Sequence, residues 1–311
     1  IFLRSGMDST LRFPPQKIIN LGNNRMLIIG MDGELQIINE SLEPESHHKI
    51  PFPTSITKSS VSSNILFGFW VDLELMIARM AAIDLNSELQ EGVSKSDLRI
   101  KLNQNEVAPV SGSKWSHTLD SEPLAIVSST NYVAFSTWKR GVYCIDHESN
   151  ELWRSPEIKW KNDLENANVV VSMSIIPEGL LIWSKGAEWA LMDEENGKII
   201  EQGTVSFPHI LEKTFNFENK ILLCCPEGNL LWIEDLNSNE VFEMKELGPV
   251  QDAKWDSEKE CWRICIWRKD VLWDKESIQK ESRKEIGRSI FKNNSSWMVL
   301  DNAGFFTNHY K

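Results

Sequence analysis

Apolar runs of about four to eight residues recur along this chain and stop at clusters of glycine, proline, asparagine and aspartate, which is the spacing of strands rather than helices. The clearest stretch is Phe217–Met244. Lys220–Cys225 ends at Pro226-Glu227-Gly228, Asn229–Ile233 closes on Glu234-Asp235, and the polar turn Leu236–Asn239 leads into Glu240–Met244. That is a meander of antiparallel strands, and most of the chain can be laid over it.

The overlay predicts seven units. The first has Lys17–Leu21, Met26–Gly30, Leu35–Ile38 and His47–Ile50. The second has Ile56–Ser60, Ile65–Val71 and Met76–Ile83, with Lys114–Leu119 arriving only after a polar excursion over residues 85–112. Such an excursion is either a functional loop or a surface insertion without fixed structure. The third unit reads Leu124–Ser128, Tyr132–Thr137, Val142–Ile145 and Leu152–Ser155; the fourth reads Val169–Ser174, Leu180–Trp183, Trp189–Met192 and Lys198–Gln202. In the fifth, Lys213–Phe217 precedes the meander described above. The sixth offers Asp252–Trp255, Trp262–Trp267, Val271–Trp273 and a charged segment within Ser277–Ile286 that reads as a surface edge strand or as a docking helix. Arg288–Phe291, Trp297–Leu300 and Phe305–Thr307 begin a seventh unit that lacks a fourth strand.

The missing strand matches an unpaired candidate, Thr10–Phe13, near the other end of the chain. Third strands close at Asn39, Asp84, Asp146, Asp193, Asp235 and Asp274, a period of about 40–47 residues outside the insertion and the one typical of propeller blades. The expected fold is all-β: a single-domain, seven-bladed β-propeller over residues 1–311, with four-stranded antiparallel blades and the N-terminal strand completing the last one. Closure of that kind protects edges that an open solenoid would leave exposed.

The junctions between third and fourth strands carry a family resemblance. Val142-Tyr143-Cys144-Ile145-Asp146 followed by Glu151-Leu152-Trp153, and Leu191-Met192-Asp193 followed by Asn196-Gly197-Lys198-Ile199-Ile200, resemble the aspartate, glycine and tryptophan pattern of quinoprotein-like propeller repeats. Val271-Leu272-Trp273-Asp274 resembles the end of a WD repeat. The resemblance implies the propeller fold, which scaffolds, ligand binders and enzymes share.

Composition adds three things. A net charge of −12 argues against a general nucleic-acid or anionic-membrane binder, and no window approaches the ~18 apolar residues of a spanning helix. The five cysteines, an odd number set inside apolar runs, read as reduced core residues of a cytoplasmic protein. The third is the 13 tryptophans against 3 tyrosines. Counting back three positions from Gly141, Gly186 and Asp270, taken as the openings of third strands, gives Trp138, Trp183 and Trp267. Basic residues follow each: Lys139-Arg140, Lys185 and Arg268-Lys269. Two readings stand. The rings pack between blades, with their basic neighbours merely solvated, or Trp138, Lys139, Arg140, Trp183, Lys185, Trp267, Arg268 and Lys269 form a face that binds an acidic or phosphorylated protein by stacking plus charge.

Catalytic signals are weak. None of His47, His48, His117, His147, His209 and His309 has metal-ligand spacing, Cys261 and Cys265 stand four apart, and there is no phosphate loop or serine elbow. The expectation is a protein-interaction scaffold without metal or cofactor. A propeller enzyme or small-ligand binder of the glycan-acting or quinoprotein-like kind, with convergent carboxylates in a central channel, is the alternative.

Overall fold

The computed structural model describes residues 11–162, 166–236, 238 and 240–310. The chain divides into two compact units, a terminal one of residues 1–50 with 250–311 and an internal one of residues 51–249. Among the described residues there are seven antiparallel sheets, each a run of consecutive strands.

The first sheet holds Pro15–Gly22 (β1), Arg25–Gly30 (β2) and Leu35–Asn39 (β3), and the second holds Ile56–Ser62 (β4), Ile65–Asp72 (β5), Ile77–Asp84 (β6) and Ser113–Thr118 (β7). Pro123–Ser128 (β8), Val133–Thr137 (β9), Gly141–Ile145 (β10) and Glu151–Ser155 (β11) make the third. Val170–Ile176 (β12), Gly179–Ser184 (β13), Glu188–Met192 (β14) and Ile199–Thr204 (β15) make the fourth. The fifth is Lys213–Phe217 (β16), Lys220–Cys224 (β17), Asn229–Ile233 (β18) and Val241–Lys245 (β19). The sixth is Val250–Asp256 (β20), Cys261–Ile266 (β21), Lys269–Trp273 (β22) and Ile278–Ser282 (β23), and Gly287–Asn293 (β24), Ser296–Asp301 (β25) and Phe306–Asn308 (β26) complete the set.

Second strands are buried almost throughout, as in β5, β9, β13 and β21, whereas the fourth strands β15 and β23 are largely exposed. A strand covered on both faces needs a continuous apolar run, and one at an outer edge does not. Within the internal unit, successive first strands β4, β8, β12 and β16 lie against one another. Within the terminal unit, β24 contacts both β20 and β1.

Two expected strands are absent from this set. His47–Ile50 forms no fourth strand; only isolated bridges Leu35↔Lys49 and Ile38↔Pro44 flank β3, and Pro44 has no N–H with which to extend a ladder. Thr10 lies outside the described residues, and Leu11–Phe13 is irregular, with Pro14 and Pro15 next in line to restrict it. Leu11 and Phe13 instead bury their side chains among Ile28, Ile38, Phe291 and Leu300. The expected strand pairing across the chain ends is replaced, in the described residues, by this packing of side chains from the first and last sheets.

The excursion over residues 85–112 is ordered around the helix Lys95–Asn103 (α1), capped by Ser94, whose side chain accepts from the Asp97 N–H. Leu98 of α1 is fully buried with Leu85, Leu89, Ala108 and Val110. The buried Arg79 guanidinium ties the return segment down by donating to the Ala108 carbonyl at 3.2 Å. The charged segment in the sixth sheet is a strand, β23.

Candidate functional site

A recurring backbone hydrogen bond fixes which turns are equivalent. The residue at the end of the second strand or just after it donates its N–H to the carbonyl of the residue just before the first strand: Met31 to Pro14, Val71 to Ser55, Trp138 to Glu122, Lys185 to Val169 and Asn302 to Ile286. Trp138 therefore corresponds to Lys185, and Trp183 lies two residues too early. The third strand of that sheet opens at Glu188; Gly186 belongs to the turn before it, so counting from Gly186 misaligned the repeat. Trp183 is fully buried among Val171, Leu181, Trp189 and Leu211. It fills the interior and presents nothing to a face, which corrects its place in the predicted set.

Trp138 and Trp267 do occupy turns between second and third strands. Trp267 is 49% exposed with φ +48°, and Arg268 beside it is exposed. Trp138 is half-buried, with the Lys139 ammonium 5.5 Å from its ring centroid. Arg140 pairs with Asp120 at 3.0 Å, both side chains in solvent. Part of the expected positive charge is thus already answered within the chain.

Within the internal unit, Trp138 and Lys185, from adjacent sheets, line one cleft of about 630 Å³. Its other walls include Thr57, Lys58, Leu124, Val171 and Glu212. The backbone explains why. β4, β8 and β12 each carry a register break at their start, between Ile56 and Lys58, Pro123 and Ala125, and Val170 and Ser172. Each break is a bulge that turns an extra residue, Thr57, Leu124 or Val171, toward the cleft. Solvent reaches Lys58, yet the concave walls enclose it: its pKa is lowered, first by desolvation and then by the charge of Lys213, with Glu212 opposing. Sequence reasoning missed Lys58, because nothing in the run Ile56–Ser62 separates it from an ordinary edge lysine.

Solved structures share this architecture. The WD40 β-propeller domain of Doa1 superposes with a TM-score of 0.63 at 11% identity, covering 95% of this chain and 92% of that one. The β-propeller domain of Cps50 (Swd1) from Myceliophteria thermophila gives 0.64 at 10% identity over 93% and 97%, and BamB from Moraxella catarrhalis gives 0.59 at 9% over 94% and 84%. The chain is a seven-bladed β-propeller. No family model and no curated protein matches its sequence, so the likeness resides in the fold. Among the described residues, no helix of this propeller is long and apolar enough to cross a membrane.

The sixth blade holds a polar cluster that no sequence spacing announced. One ligand-type atom each of Cys265, Asp270 and His309 lies within 4.8 Å of the others, all buried. Its chemistry opposes a metal ion. Arg263 donates to His309 Nδ1 at 3.3 Å, Nε2 faces the Ile264 carbonyl at 3.3 Å, and Arg283 holds Asp270. Both ring nitrogens are engaged, and two guanidiniums already supply positive charge. The Cys265 thiol, its pKa raised by burial and then by Asp270, donates to Asp270 Oδ1. The cluster works as a clasp: Arg283 also reaches Thr307 and the Asn308 carbonyl, and Arg263 the His309 carbonyl, fixing β26 and the residue after it to the sixth blade.

Proposed function

We propose that this propeller is a cytoplasmic protein-interaction module that recognises an acidic partner through the turns between second and third strands. One observation carries the reading. Trp138 and Lys185 line a single cleft with Lys58, whose positive charge is disfavoured by its enclosure and by Lys213. A ligand carboxylate entering there would relieve both penalties, and the indole offers it a flat apolar neighbour. In the terminal unit, Trp267, Arg268 and Lys269 occupy the equivalent turn of the sixth blade. Five free, buried cysteines suit a reducing compartment. The WD40 likeness supports a scaffold role by analogy of fold.

The test is quantitative capture from native lysate by the wild type and by a folded variant with Lys139, Arg140, Lys185, Arg268 and Lys269 all changed to Glu, followed by direct binding of the purified partner. The expected result is a partner lost from the variant, whose wild-type affinity falls as salt rises. Identical captures by the two proteins would reject the basic face.

A further inference from the structure

The indole of Trp138 lines a second cavity, of about 200 Å³, whose walls include Trp160, Lys139 and Glu157. Two more of its lining residues bring buried polar atoms. Ser136 Oγ and Asn168 Oδ1 have no hydrogen-bond partner among the described residues, and Ser136 as a whole is 1% exposed. A buried polar atom left unsatisfied is costly, so such atoms mark where water or a ligand belongs.

The repeat explains why the slot exists. Ser136 stands two residues before Trp138, and the equivalent positions before Met31, Val71, Lys185 and Asn302 are Ile29, Phe69, Trp183 and Leu300. All four are buried at 1% exposure or less. Where these four blades put a large apolar side chain and the sixth puts Cys265, the third puts a hydroxyl. The vacated volume and the orphaned hydroxyl of Ser136 therefore share one cause.

We propose that this slot receives a primary carboxamide, the side chain of a glutamine or asparagine from the partner. Asn168 Oδ1 accepts from the amide N–H₂, the Ser136 hydroxyl donates to the amide oxygen, and the planar group lies between indoles. A guanidinium would bring a second cation beside Lys139, and a carboxylate would set its charge against Asn168 Oδ1. The volume is below the ~300 Å³ at which sites for drug-sized ligands begin, which suits one side chain. This inference rests on the interaction-module reading for the source of the amide, since Trp138 also lines the larger cleft.

The probe is propionamide, the end of a glutamine side chain, titrated against protein labelled with 5-fluorotryptophan and followed by fluorine NMR. Trp138→Phe and Trp160→Phe assign the two signals. Propionamide is expected to shift both saturably, propionate at least about tenfold more weakly, the factor lost when a hydrogen bond to a buried group is replaced by a mismatch. Ser136→Leu, which restores the side chain type of the other blades, should abolish the shifts while leaving the melting temperature equal or higher. Shifts that do not saturate, that match those of propionate, or that survive in Ser136→Leu would mean a water-filled slot and overturn the proposal. Its failure beside charge-dependent partner capture leaves the module reading standing; saturable binding without any captured partner would reverse that outcome.

Discussion

His309 gives the sharpest test of the clasp on the sixth blade. Its ring is buried with Nδ1 accepting from Arg263, a residue with no acceptor of its own, so Nδ1 carries no proton and Nε2 donates to the Ile264 carbonyl. Protonation would aim an N–H at a guanidinium. Burial, the largest cause, pushes the pKa from 6.5 down to about 4; the carboxylate of Asp270, 3.9 Å from Nε2, opposes the shift, and Arg263 and Arg283 add to it. The folded value lies below the unfolded one, so stability is complete above pH 6.5 and falls as the unfolded chain alone takes up the proton. At pH 5 the loss is about 2 kcal/mol, from two proton-binding curves centred near 6.5 and 4. The assay is urea unfolding at pH 7.5, 6 and 5 for the wild type and His309→Asn. Asp301, whose pKa burial raises, acts in the opposite direction at lower pH but does so in both proteins, so it cancels in the difference. A wild type and variant that lose stability in parallel between pH 6.5 and 5 would refute the argument.

Two further outcomes follow from packing. Arg263→Met leaves the Asp256 carboxylate, 2% exposed and 2.8 Å from the lost guanidinium, without its buried partner, and should cost about 3–5 kcal/mol in urea unfolding; adding Asp256→Leu should recover most of that loss, and an additive double variant would deny the coupling. Gly141 has φ +96°, and a Cβ there would collide with the Ser155 carbonyl, so Gly141→Ala should lower stability by at least about 1–3 kcal/mol, read as a drop in melting temperature.

The strands were legible because each sheet hides its middle strands on both faces, so Ile65–Asp72 or Gly179–Ser184 appears as an unbroken apolar run. Where a strand was misjudged, proline or packing overrode the pattern. Leu11–Phe13 looks like a strand but leads into Pro14-Pro15 and contributes only side chains to its cluster. The site was less legible. Trp138 and Trp267 stand where the spacing places them, yet Trp183 does not, because Gly186 is a turn glycine and the third strand opens at Glu188. The clasp of Cys265, Asp270 and His309 depends on the last residues folding back onto the sixth blade, a tertiary contact that carries no local signal. Ser136 did carry one: a serine inside the otherwise apolar run Val133–Ser136, where four equivalent strands have Ile29, Phe69, Trp183 and Leu300.

The repeat itself shows how such a site arises. Among the described residues, six of the seven first strands carry the same register break near their start: β1, β4, β8, β12, β20 and β24. β16 pairs regularly from Lys213 onward. One backbone device thus delivers an extra side chain in blade after blade, and what differs is the residue delivered. In β4 the bulge leaves Thr57 and Lys58 both exposed, breaking strict alternation. In β16 the absence of a bulge lets Lys213 open the ladder, close enough for its charge to depress Lys58. The third blade departs from the pattern twice more, with Trp138 in the turn and Ser136 beneath it. A fold assembled from similar sheets gains a specific surface where individual blades break the pattern of their neighbours, and in the internal unit Thr57, Lys58 and Ser136 border cavities lined by Trp138.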